Sequence, residues 1–144
     1  MDYKKAEKIV GFMEKTMPQE VHMPARNLLN RLYDMNKYKG TGIDGADNYY
    51  HRLAMCENAQ MGYAEALVSL LGGVAKEGYD TYCKTFGKCD QPKIGLVKAL
   101  QDSGKDMKNN IEGLTLGLQN PEISCKLLLQ DLDWETNTWK KPRK

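Results

Sequence analysis

Apolar residues recur at helical spacing along almost the whole of this chain, and prolines and glycines cut the pattern into segments. Tyr3, Ala6, Ile9, Val10, Met13 and Met17 share one face, and Pro18 stops that helix. A second helix is predicted from near Pro24, with Ala25, Leu28, Leu29, Leu32 and Met35 as its stripe and Lys39-Gly40-Thr41-Gly42 as its exit. Asp44 reads as the N-cap of a third, which carries Ala46, Tyr49, Tyr50, Leu53 and Cys56 on one side and breaks or bends at Gly62. Ala66, Leu67, Leu70, Leu71, Val74 and Tyr82 continue to about Phe86, with Gly72 and Gly73 inside the run. Gly87 to Pro92 is the clearest loop.

Beyond it, Val97, Leu100, Gly104, Met107, Ile111, Leu114 and Leu118 alternate steps of three and four. That is the seam of a two-helix contact over about three heptads, with a notch at Gly104. Gly113 and Gly117 share a flank that permits close approach, and Asn120-Pro121 ends the helix. A short helix with Ile123, Leu127, Leu128 and Leu132 follows, then Trp134 and Trp139. No alternating run long enough for a strand is present. The expectation is an all-α fold: a single-domain bundle of five to six helices around a four-helix core, over residues 1–139, with a basic tail at 140–144.

The 144 residues suit one domain and bury enough surface to need no staple, about 68% of what the unfolded chain exposes. No apolar run reaches the length of a transmembrane span. The formal charge is only +2, and residues 140–144 supply four positive charges, so the body is slightly acidic. Nucleic acid is not an expected partner of such a body; the tail alone suits an acidic surface or phosphate backbone, or is simply solvated. The start of the sequence has no apolar h-region, so no secretory signal is read; a cytoplasmic protein and one exported by a non-classical route both fit.

Cys56, Cys83, Cys89 and Cys125 lack zinc spacing, and His22 and His51 are far from them and from each other in sequence, so no metal or other cofactor is expected. Four cysteines allow three pairings. Cys83 and Cys89 flank the turn 85–88, and a local pair there leaves Cys56 to join Cys125 over a long range. Four reduced, buried thiols are the equal alternative.

Polar residues concentrate in two places. In the first, Asp47 and His51 are four apart on a helix, a spacing that can orient an imidazole for general-base work, or simply make a structural pair. Tyr49 and Tyr50 beside them are candidate ligand-binding residues. In the second, Asn109 and Asn110 are adjacent inside a helix, a disfavoured choice that suggests side-chain bonds to a neighbouring loop, or a pocket. An enzymatic site would draw on Asp47, His51, Asn109 and Asn110.

Ala46-Asp47-Asn48-Tyr49-Tyr50-His51, with Cys56-Glu57-Asn58-Ala59-Gln60 and Gly62 downstream, resembles the serum amyloid A family. Tyr33-Asp34-Met35 is similar to the end of that family's first helix. Asp106 to Asn110, Gly113, Gly117, Asn120-Pro121 and Ser124-Cys125 resemble the C-terminal helix and exit of its bacterial, cysteine-bearing branch. The resemblance spans about residues 33–129. It implies a compact four-helix core and, for vertebrate members, binding of lipid or small apolar ligands on helix faces. For bacterial members it implies domains of secreted or surface-delivered proteins, and it supplies no catalytic residue. The expected function is therefore a small binding or interaction domain that takes a protein partner, lipid or apolar small molecule on a helix face. The alternatives are a toxin-like effector enzyme with a polar pocket around His51, and an immunity-type inhibitor.

Overall fold

The computed structural model describes residues 3–89 and 92–140. Six helices follow in order: α1 (Tyr3–Thr16), α2 (Gln19–Asn36), α3 (Ala46–Met61), α4 (Tyr63–Phe86), α5 (Leu96–Gln119) and α6 (Cys125–Leu128). The all-α bundle is as expected. Helices α2 to α5 pack on one another as a four-helix core, and α1 lies against α2. Of the basic tail, residues 141–144 lie outside the described residues; Lys140 donates its backbone N–H to the Asp131 carbonyl at 2.6 Å.

Most helix boundaries follow the punctuation in the sequence, and two differ. α2 starts at Gln19, not near Pro24. Pro18 stands at its N-cap, and its carbonyl takes the N–H groups of Val21 and His22, so the helix is under way before Pro24. At the start of α3 the cap position is Gly45, not Asp44. Its φ of 83° lies in the left-handed region, and an added Cβ there would strike the Trp134 carbonyl. A side chain at 45 is excluded by conformation and by the neighbour at once.

That neighbour belongs to the one element the sequence did not suggest. β1 (Leu132–Asp133) and β2 (Thr138–Trp139) form a small antiparallel hairpin, with Leu132 opposite Trp139 and Asp133 opposite Thr138. Two residues per strand leave no alternation to detect. The hairpin is held from outside, by side chains of α3 and α5.

α3 is the centre of the bundle. Ten of its residues are buried, polar and apolar alike. Leu53, Cys56, Leu116, Cys125 and Leu129 form one core cluster, and Met55, Ala59, Ala66 and Leu114 another. α3 and α5 approach closely because α5 presents glycines to the α3 backbone. A Cβ at Gly113 would lie 2.6 Å from the Arg52 carbonyl, and one at Gly117 would collide with the Cys56 carbonyl. Disulfides join Cys56 to Cys125 and Cys83 to Cys89, the long-range and local pairs that the turn at 85–88 suggested. The first ties α6 and the hairpin behind it to the middle of α3.

Candidate functional site

Close packing of α3 on α5 brings their polar residues into one buried seam, which the hairpin closes. Asn48 sits in the first turn of α3, and its Nδ2 donates to the Trp134 carbonyl at 2.8 Å. Its Oδ1 accepts from Asn109 Nδ2 at 3.0 Å, and Asn109 Oδ1 accepts from Asn137 Nδ2 at 3.1 Å. One turn along α3, Arg52 is 3% exposed at its side chain. Its guanidinium donates to the Asn48 carbonyl at 2.9 Å, to Asn137 Oδ1 at 2.5 Å and to Glu112 Oε1 at 3.1 Å. Trp139 Nε1 donates to the same carboxylate oxygen at 3.0 Å. Donors meet acceptors throughout, as a buried polar network requires.

The four candidates for chemistry are only partly brought together. His51 is 9% exposed, and its Nδ1 lies 3.1 Å from Asn110 Oδ1. Asp47 does not orient it: its carboxylate takes Lys105 Nζ at 3.1 Å on the outside of the bundle. The first turn of α3 points Asp47 toward α5's solvent flank, whereas His51 faces the interior. Asn109 belongs to the hairpin network and Asn110 to His51, so the adjacent asparagines serve two neighbours. Asn109 does bond a neighbouring loop, through Asn137. Neither of the two cavities described below is lined by any of the four.

Tyr49 and Tyr50 enter an aromatic cluster. Tyr49 stacks on Trp134 with centroids 4.6 Å apart, and Tyr50 meets Trp134 edge-on at 5.9 Å. Tyr38 packs on both Trp134 and Tyr50. Burial, with a hydrogen bond to Tyr38, pushes the Tyr50 phenol up to about 12. These rings hold the hairpin and the end of α2 against α3. Beside them, Gly42, Ile43, Asp44, Asp133, Glu135 and Lys140 line a polar hollow of about 510 Å³.

A second buried polar group lies between α4 and α5. Glu77 is 5% exposed. Burial raises its carboxyl above the usual range, Asp106 adds to this, and Lys76 at 3.1 Å opposes it. Nearby, Thr81 and Ser103 hydroxyls are 2.5 Å apart.

The largest departure from expectation is on the outer side of these two helices. The stripe read on α4 as core is mostly outside. Tyr63, Leu67, Leu71, Val74, Tyr82 and Phe86 are exposed along α4, as are Val97, Leu100, Ile111 and Leu118 along α5. Residues 66–75 contain no charged side chain, so this stretch of α4 is apolar nearly all round, a composition suited to a helix segment covered on every side. The two stripes meet in an apolar groove of about 310 Å³, where Tyr63, Leu67 and Leu70 face Ile111, Leu114 and Leu118. The heptad seam of α5 is thus split: Leu114 is buried and Met107 half-buried, while Val97, Leu100, Ile111 and Leu118 stand in solvent. Nothing lies within 4 Å of a Cβ built on Gly104, so the notch is open.

Among the described residues no helix is long and apolar enough to cross a membrane, and no cluster of His, Cys, Asp and Glu could hold a metal ion. Comparison with protein-family models, with curated proteins and with solved structures finds no match for the chain.

Proposed function

We propose that this protein is a small helical binding module whose working surface is the apolar face of α4 and α5. The observation that carries the reading is the row of ten large apolar side chains, from Tyr63 to Leu118, left exposed on two adjacent helices. Contiguous apolar surface on that scale marks an interaction site, because leaving it in water is costly. The resemblance to the serum amyloid A family favours the same class of function, binding at a helix face. An effector enzyme built on His51 fits the geometry less well. The imidazole is buried, its Nδ1 is engaged by Asn110, and Asp47 is committed to Lys105. Two disulfides favour an oxidising compartment for the folded chain.

The test compares the parent with the double variant Leu71→Lys, Val74→Lys. Both are measured for binding of an apolar dye, anilinonaphthalene sulfonate, and for sedimentation. A module that uses this face loses dye binding, or loses an assembly present in the parent, with its helical circular dichroism unchanged. Identical behaviour of the two chains refutes the reading.

A further inference from the structure

We propose that the occupant of the α4–α5 face is a second copy of this chain, joined about a two-fold axis near the middle of the face. The inference rests on the reading of this face as the binding surface. Three separate observations carry it further, to the copy itself.

The first is area. The ten side chains are 37–81% exposed. At roughly 150–250 Å² for a whole aromatic side chain and less for the seven aliphatic ones, their exposed parts sum to a figure on the order of 1,000 Å². The largest patch on a typical monomer is about 300–600 Å², and a stable interface of standard size needs about 800 Å² from each partner. The exposed apolar surface of this one face is thus of the order that a standard interface takes from each partner.

The second is charge. α4 and α5 run antiparallel, since Tyr63 shares a groove with Leu118, and Thr81 at the other end bonds Ser103. The end where α4 leads to α5 is basic: residues 84–102 hold Lys84, Lys88, Lys93 and Lys98 against Asp90 and Asp102, and Asp102 bridges both Lys84 and Lys98. The opposite end is acidic: residues 61–72 and 113–122 hold Glu65 and Glu122 and no Lys or Arg. A two-fold axis perpendicular to the helix pair lays each basic end over the partner's acidic end. An isologous interface requires such self-complementarity of one patch.

The third is two glycines on the face. Gly113 and Gly117 are explained within the chain by the α3 backbone they admit. Gly78 and Gly104 are not: a Cβ on either meets nothing within 4 Å, and glycine in a helix interior is less stable than alanine. They lie within about one turn of the Thr81–Ser103 contact, on the basic side of mid-face. The missing side chains leave room there for side chains of a partner laid across the face.

Sedimentation equilibrium across the micromolar range, in non-reducing buffer, tests this. The parent is expected at twice its 16.3 kDa mass, with dimerisation weakened by added salt. Val74→Lys is expected at the mass of one chain. Gly104→Leu is expected to weaken dimerisation roughly tenfold or more, with no loss in the thermal midpoint of the dilute monomer. The leucine fills open space within its own chain and obstructs only a partner. A parent that sediments as one chain throughout overturns the proposal. The dye comparison then decides separately whether the face still binds something else. A dimer that tolerates both Val74→Lys and Gly104→Leu also overturns it, because the contact then lies elsewhere.

Discussion

Arg52→Met is the most direct perturbation of the seam that joins α3, α5 and the hairpin. Methionine keeps much of the apolar stem, so the cavity term is small. What is lost is a buried guanidinium with three acceptors: the Asn48 carbonyl, Asn137 Oδ1 and Glu112 Oε1. The Asn48 carbonyl lies inside a helix and has its own backbone partner available, so its loss costs little. Asn137 Oδ1 and Glu112 Oε1 are left short of a donor. At about 1.5–3 kcal/mol per hydrogen bond to a charged group, the two amount to roughly 3–6 kcal/mol. Two terms reduce this. The variant no longer desolvates a guanidinium, and Glu112, with a side chain 31% exposed, recovers water and keeps Trp139. The expected net loss is about 3 kcal/mol, or a fall in Tm of roughly 6–12 °C for a chain of this size. Urea unfolding followed by circular dichroism, at one fixed protein concentration, measures it as a lower midpoint at unchanged slope. The double variant Arg52→Met, Glu112→Gln should lose less than the sum of the two single losses. Stability within about 1 kcal/mol of the parent, or strict additivity in that cycle, would refute the account of the seam as a coupled network.

Replacing Cys56 and Cys125 together by alanine is expected to cost about 4 kcal/mol, and replacing Cys83 and Cys89 about 2 kcal/mol, because the closed loops span 69 and 6 residues; equal losses in urea unfolding would contradict the loop-length argument. Mild reductant should open Cys83–Cys89 first, since Cys89 is exposed while Cys56 and Cys125 are buried, and thiol alkylation with mass mapping reads the order. Gly117→Ala should destabilise by about 1–3 kcal/mol, since its Cβ meets the Cys56 carbonyl and outweighs alanine's helix preference; a rise in Tm would show that α3 yields. Glu77 is held above its ordinary value of 4.5 chiefly by burial, so the folded state holds its proton more tightly than the unfolded one. Its contribution is full below that ordinary value and is lost as pH rises through the raised one. The stability of Glu77→Gln relative to the parent should therefore increase from acid to neutral pH, and a flat difference would remove Glu77 as the cause.

The helices were legible because each carries a stripe and a stop. Pro18, Gly62, the loop at 87–92 and Asn120-Pro121 mark ends that periodicity alone leaves vague. Periodicity reports that a side of a helix is apolar, but not what covers it. That is why Leu67, Leu71 and Val74 read as core and stand in solvent. The same limit applied to the polar seam. Asn109 and Asn110 were conspicuous, being poor choices inside a helix, but their partners lie 28 to 61 residues away in sequence. Asn48, Arg52 and Asn137 gave no signal of their own: an arginine four residues after an asparagine looks like any solvated helix face. One clue was present. Trp134 and Trp139 in a short polar segment are expensive to leave in water, and both turn out to anchor the hairpin on α3 and α5.

The way the hairpin closes the seam also sets an order in time. Asn48 and Arg52 reach their hairpin partners across 86 and 85 residues of chain. Contacts of such separation form late, because the entropy of closing the loop is spent before any contact repays it. Until residues 132–139 dock, the polar side chains of α3 face a half-built interior. The Cys56–Cys125 bridge changes that interval, for it brings the hairpin's root beside α3 and leaves only a few residues to be searched. An oxidised chain is thus expected to regain its fold faster than a reduced one, as well as to keep it more firmly.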